Sequence, residues 1–148
     1  MSILDRTGSL FDSDAPAIAH GVNCKGAMGA GIAVAFRTSF PDMYERYAAL
    51  CSRDELAPGG VFYWEGDTAP AVYNLASQSN PGADARIDWL TISLRKALRH
   101  AAEKGYDRIA IPQIGCGIGG LRWTDVRVVV ERLSNEHGVD VEVWAFPE

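Results

Sequence analysis

Twice in this chain a short apolar strand runs into a glycine-rich loop that opens a helix. The first copy is Ala17–Val22, then Asn23-Cys24-Lys25-Gly26-Ala27-Met28-Gly29-Ala30-Gly31, then a helix from Ile32. The second is a strand over 108–112, a loop over 113–122 containing Ile114-Gly115-Cys116-Gly117-Ile118-Gly119-Gly120, and another helix. This order constrains the fold strongly. Strands alternating with helices build an α/β domain around a largely parallel sheet, and ligands then sit outside the carboxyl ends of the strands. Glycine permits positive φ and lets the backbone approach an anion. The helix behind the loop adds free N–H groups and a partial positive charge. Two such loops side by side can clamp a diphosphate from both sides without any Lys or Arg.

The remaining segments fit that plan. Ile32, Phe36 and Phe40 recur at steps of four, which predicts a helix with one buried face. Pro41 suits the first turn of a second helix, whose stripe is Met43, Tyr44, Tyr47 and Leu50. Strands are expected at Val61–Trp64 and Ala71–Ala76, followed by a polar loop over 77–84. A long helix over 88–104 carries Leu90, Leu94, Ala97, Leu98 and Ala101 on one face, with Asp88 as N-cap and Gly105 just past its end. Thr124 is the expected N-cap of the last helix, which stops at Gly138, and a half-buried alternating strand over 139–143 runs into Trp144-Ala145-Phe146.

With 148 residues, 47% of them hydrophobic and 22% charged, the whole chain is read as one domain, residues 1–148. No apolar run approaches the roughly 20 residues of a membrane helix, and the first six residues lack the features of a secretory signal, so a cytoplasmic protein is expected. The net charge of −5 argues against direct nucleic-acid binding through backbone charge, although a modified nucleic acid remains a possible substrate. Cys24, Cys51 and Cys116 are odd in number and widely spaced, which points away from a disulfide framework or a metal site. No Walker pattern is present, and neither loop matches the dinucleotide fingerprint.

Taken together, the loops resemble those of the macrodomain family. Val22-Asn23 followed by Met28-Gly29-Ala30-Gly31-Ile32-Ala33 looks like that family's first phosphate loop. Ile111-Pro112-Gln113-Ile114-Gly115-Cys116-Gly117-Ile118-Gly119-Gly120-Leu121-Arg122-Trp123 looks like its second. The Gly-Cys-Gly core followed by Leu-x-Trp is most similar to the branch containing the terminal ADP-ribose glycohydrolases and the antitoxins that reverse DNA ADP-ribosylation. The resemblance implies a three-layer α/β/α fold with a mixed central sheet and an ADP-ribose cleft at the loop ends. It implies that Asn23 faces the distal ribose, and that Met28 to Ile32 and Gly115 to Gly119 (through Cys116, Gly117 and Ile118) hold the diphosphate and that ribose. Ser9, Leu10 and Phe146 are implied at the adenine side, Ser77 and Gln78 beside the distal ribose. No cofactor or metal is implied.

The chain departs from the family pattern at three places. Gly8-Ser9 stands where the family has Gly-Asp, so the carboxylate that contacts adenine is missing; Asp12 and Asp14 are the nearby candidates to replace it. Gln78 stands at the position of a catalytic Lys, and an amide nitrogen is no nucleophile. Gly119 stands where the glycohydrolases carry an acid, as it does in the antitoxin-like members. Asn23 either contacts the ribose or caps its own turn. Gln78 either orients a water or ribose hydroxyl or faces solvent. His20, inside an apolar strand, reads better as a core histidine than as a base. Cys116 lacks an identifiable His partner and reads as a small packing residue. Lys25, Asp84, Arg86, Asp88, His100 and His137 read as solvated, His137 near a helix end. The expected function is binding of ADP-ribose or a derivative, with hydrolysis of an ADP-ribosyl link in which Asn23 and Gln78 take part. The alternatives are a non-catalytic ADP-ribose-binding module and an ADP-ribose 1″-phosphate phosphatase.

Overall fold

The five strands read from the sequence, with an N-terminal strand that has no apolar run to announce it, assemble into one six-stranded sheet in a computed structural model that describes residues 3–145. The strands are β1 (Ile3–Thr7), β2 (Ala17–Val22), β3 (Val61–Trp64), β4 (Ala71–Ala76), β5 (Arg108–Ile111) and β6 (Asp140–Ala145). Their spatial order is β1-β6-β5-β2-β4-β3. All neighbours pair in parallel except β3, which runs antiparallel to β4 at one edge. The helices are α1 (Ile32–Ser39), α2 (Pro41–Ser52), α3 (Ile87–Lys104) and α4 (Trp123–His137).

Strand side chains alternate between faces, and here both faces are covered. Ala17, Ala19, Tyr73, Leu75, Ile109, Ile111, Val141 and Val143 share a core with the apolar stripes of α3 and α4. Ile18, Val22, Val72, Ala76 and Ala110 face the opposite way, onto Phe36 of α1 and Met43, Tyr47 and Cys51 of α2. The result is a three-layer α/β/α domain with a mixed sheet. Because β2 leads into the α1 layer and β5 into the α4 layer on the other face, the two loops diverge from adjacent strands. That divergence opens a crevice at the carboxyl ends, the arrangement expected at a topological switch point.

Several local expectations need correction. The N-cap of α3 is Arg86, not Asp88, and that of α4 is Arg122, not Thr124; neither makes a side-chain cap bond. Both cap residues are still extended (φ −122°, ψ 133° and φ −95°, ψ 127°) because the loops before them remain tied to the site, Ala85 pairing with Gln78 and Leu121 N–H bonding Gly115 O. Asp88 lies in the first turn, where its charge favours the helix dipole. His100 is half-buried and partnered, not simply solvated: its Nδ1 lies 2.7 Å from the Tyr73 hydroxyl and its ring packs 4.3 Å from that of Tyr63. The last strand is not half-buried, since Glu142 is as hidden as Val141 and Val143. Gly105 and Gly138 do close their helices in the left-handed conformation, and His137 Nδ1 sits 2.9 Å from Leu133 O at the end of α4. No helix among the described residues is long and apolar enough to cross a membrane.

Candidate functional site

A cavity of about 670 Å³ occupies the crevice between the two loops. Most of the residues expected there line it: Leu10, Asn23, Met28 to Ile32, Ser77, Gln78 and Gly115 to Gly119. Ser9 does not. Its hydroxyl instead accepts from Phe11 N–H at 3.3 Å, capping the short 3-10 turn Leu10–Asp12. Phe146 lies outside the described residues. Lys25, Asp12 and Asp14 are not in the wall; Asp14 is engaged by Arg108 at 2.5 Å. Among the described residues that line the cavity, none carries a charged side chain.

The first loop is built around Asn23, which is 7% exposed. Its Oδ1 accepts from Lys25 N–H at 2.9 Å and Ala27 N–H at 3.3 Å, and its Nδ2 donates to Ala27 O at 2.8 Å. The Tyr47 hydroxyl donates to Asn23 O at 2.6 Å, with Oδ1 3.0 Å away, and Tyr44 donates to Gly26 O at 3.1 Å. Asn23 therefore caps its own turn, and one Nδ2 hydrogen remains for a ligand. The loop ends at Gly31 (φ +63°), the N-cap of α1. In the first turn of α1, Val34 N–H bonds Gly31 O at 3.2 Å, while the amides of Ile32 and Ala33, both residues of the cavity wall, have no intrahelical acceptor.

The second loop is held by its own main chain. Leu121 N–H bonds Gly115 O at 2.8 Å and Cys116 N–H bonds Gln113 O at 3.3 Å. Gly115 has φ +77°, and a Cβ there would lie 2.8 Å from Leu121 Cδ1. A Cβ at Gly119 would lie 2.7 Å from Gly115 O and 3.0 Å from Ala85 Cβ. This conformation has no room for an acidic side chain at position 119. Ile118 reaches from this loop toward Gly31, where its Cδ1 would meet an added Cβ at 3.3 Å.

The third wall comes from the loop after β4. Gln78 Nε2 donates to Asn80 O at 2.7 Å and Gly82 O at 2.9 Å, so both amide hydrogens are spent on the loop and only Oε1 is left for a ligand. Asp84 Oδ2 accepts from the Ser79 and Asn80 amides at 3.1 and 2.9 Å. These bonds hold its carboxyl below the usual range, and Arg86 lies 3.7 Å away. Ser77 Oγ is buried with no hydrogen-bond partner among the described residues. Gly21 is one of the wall residues that sequence reading missed. A Cβ there would meet Ser77 Oγ at 2.6 Å and Ile114 Cγ2 at 3.1 Å. A glycine inside a strand was the available signal. Gln113 and Trp144 also join the wall.

Titratable chemistry is scarce. His20 is fully buried, stacked on Phe36 at 3.7 Å between centroids, with Nε2 2.7 Å from Asn74 Oδ1. Burial pushes its pKa down to about 4 against the help of Asn74. It does not line the cavity and has no path to a substrate proton. Cys116 is pushed up to about 11 by burial and by Asp125, and its Sγ lies 3.3 Å from Ile114 O, so it is a thiol and not a nucleophile. No group of three or more His, Cys, Asp or Glu side chains among the described residues is placed to hold a metal.

Comparison with known proteins places this geometry. A "DNA ADP-ribosyl glycohydrolase" of Thermus aquaticus is 30% identical over 143 residues, covering 94% of this chain; the chain spans only 39% of that relative's length. An "ADP-ribose 1″-phosphate phosphatase" of Candida albicans is 28% identical over 144 residues, covering 88% of this chain and 92% of its own. The solved macrodomain of Mycobacterium tuberculosis DarG superposes with a TM-score of 0.88 at 27% identity, over 98% of this chain and 99% of that one. The family model described as "Macro domain" matches residues 19–130, a span that begins in β2, takes in both glycine loops and ends in α4. On that match and on a fold shared end to end with a solved member, the chain belongs to the macrodomain family.

Proposed function

We propose that this chain binds the ADP-ribose moiety of a modified molecule and hydrolyses the link at the distal ribose. The observation that carries the reading is the uncharged cavity strung between two main-chain loops. From β6 to β4 is three strand steps, about 14 Å, a span suited to a diphosphate with a sugar on each side. The loop amides and the first turn of α1 supply hydrogen bonds to the phosphates without desolvating a basic side chain; this makes both loops phosphate-binding loops.

The reaction is one of position. A water held near the anomeric carbon adds to it, the bond from that carbon to the modified group breaks, and the water proton passes to the departing group. Asn23 through its remaining Nδ2 hydrogen and Gln78 through Oε1 orient the ribose and the water. No lining side chain forms a covalent intermediate, since Gln78 replaces the amine and Cys116 stays protonated. The names of the relatives favour an ADP-ribosylated substrate, a modified nucleic acid among them. The reading assigns the protein to the cytoplasm, in keeping with three free cysteines.

Titration with ADP-ribose, ADP and AMP tests the site. ADP-ribose binding at least tenfold tighter than ADP is expected; equal or absent binding overturns the reading. Turnover of an ADP-ribosylated oligonucleotide, slowed by Gln78→Ala with ADP-ribose affinity kept, is the expected catalytic result. A non-catalytic binding module is the second reading, favoured by the commitment of both Gln78 amide hydrogens to its own loop. Tight binding with no turnover of ester or glycosidic substrates decides for it. A phosphatase step using His20 finds no support, because that ring is sealed behind Phe36.

A further inference from the structure

The two ends of the cavity differ in chemistry. At the β4 end stand Asn23, Ser77 and Gln78, all polar. At the β6 end stand Leu10, Trp144 and Ala145. Strand order puts the first set at the ends of β2 and β4 and the second beside β6, with β5 between them. The polar end suits a hydroxyl-rich sugar; the aromatic end suits a flat base.

What reads the base is therefore a question about the β6 end, and among the described residues no carboxylate lines it. Ser9 stands where the family carries an acid, and its hydroxyl caps the 3-10 turn. Asp12 is exposed on that turn and outside the wall, and Asp14 is paired with Arg108. Glu142, whose side chain is 5% exposed, accepts from Ser13 Oγ at 2.6 Å, Trp144 Nε1 at 2.9 Å and Arg108 Nε at 3.0 Å. That last network also spends the one polar atom of the Trp144 ring. The indole is backed by Gly8 (φ +133°), where a Cβ would lie 3.5 Å from Trp144 Cζ3. The ring is thus a fixed plane whose N–H points at Glu142.

Resting on the ADP-ribose reading above, we propose that this end selects a purine by stacking and shape and not by an acceptor for its exocyclic amino group. Nucleoside diphosphate riboses with a 6-oxo purine are then bound nearly as well as ADP-ribose. Strong discrimination between an amino donor and an oxo acceptor needs a buried group that one of them leaves unpaired. Among the described side chains of this wall no such group exists.

Calorimetric titration of the full chain with ADP-ribose and with its hypoxanthine counterpart, inosine diphosphate ribose, decides the matter. Dissociation constants within fivefold are expected; an adenine preference beyond fivefold overturns the proposal while leaving the ADP-ribose site intact. Failure of both ligands to bind overturns the site itself, so the two failures are distinct. Trp144→Ala is expected to weaken both ligands at least tenfold and equally, Trp144→Phe to keep both within about threefold. Unchanged affinity in Trp144→Ala, with folding verified by its thermal transition, removes the stacking plane from the account.

Discussion

The two glycine loops face one cavity but are kept in shape by opposite means. The first is fastened from outside: Asn23 gathers the amides of Lys25 and Ala27, while Tyr47 and Tyr44 reach up from α2 to carbonyls of the same turn. The second is fastened by absence, its turns closing because Gly115 and Gly119 carry nothing that would meet Leu121, Ala85 or the loop's own carbonyl. Similar ligand-facing surfaces therefore fail differently. A loop tied by side chains loosens as ties are removed; a loop that depends on empty space is destroyed by one added methyl group.

Gly119→Ala should have the largest effect. The new Cβ meets Gly115 O, a backbone atom that cannot step aside, so a loss of about 3 kcal/mol is expected from overpacking. ADP-ribose binding should be undetectable by calorimetry. A variant that binds normally breaks the contrast. Asn23→Ala should cost about 2 kcal/mol in urea unfolding, since it removes the acceptor of the Lys25 and Ala27 amides and the donor to Ala27 O, while the Tyr47 hydroxyl keeps its bond to the main chain. Tyr47→Phe, which keeps the ring, should cost about 1 kcal/mol.

Acid should act next, and on the first loop. His20 supports it from below through Phe36, and its folded pKa of about 4 lies beneath the ordinary 6.5. Between those values the unfolded chain takes up the proton and the folded one does not. Stability should therefore fall as pH drops from 6.5 toward 4, by about 1.4 kcal/mol per unit at most. His20→Gln should remove that slope when compared with the parent across the same range. Amides of 24–31 should exchange earlier than those of 113–121. Gly117→Ala is the smallest case: a Cβ there meets nothing within 4 Å, so stability should stay within about 0.5 kcal/mol. Its affinity for ADP-ribose should fall several-fold, because the methyl group projects from a residue of the cavity wall.

Five of the six strands, the four helices and the loops were legible because their signals are local; β1, Ile3–Thr7, is mostly exposed and gives no such signal. Apolar period, Pro41, Gly105 and Gly138 each mark structure within a few residues. The misread positions depend on contacts made across the fold. Asp88 and Thr124 have good capping chemistry, but pairing of the preceding loops with the site sets where each helix begins. His100 looks exposed on a helical wheel until Tyr63 and Tyr73 arrive from β3 and β4. Glu142 looks like the wet side of a strand until Ser13, Trp144 and Arg108 close over it. In the site, the glycines announced the loops, while the commitment of most Asn23 and Gln78 hydrogen-bonding groups to their own turns appears only in three dimensions.

The neutral cavity wall has a consequence for ionic strength. A basic phosphate site gains attraction at long range and loses it as salt screens the field. On the proposed function, the ligand's negative charge would approach a chain of net charge −5 and, among the described residues of the wall, would meet amide dipoles and no charged side chain at contact range. Added salt screens the repulsion between them and leaves the short-range hydrogen bonds in place. The same wall gives the encounter little electrostatic steering, so capture proceeds at the ordinary rate of unsteered association. Such a site is expected to keep its affinity where electrolyte is abundant, a setting in which a lysine-lined pocket of equal strength in dilute buffer would have lost much of its hold.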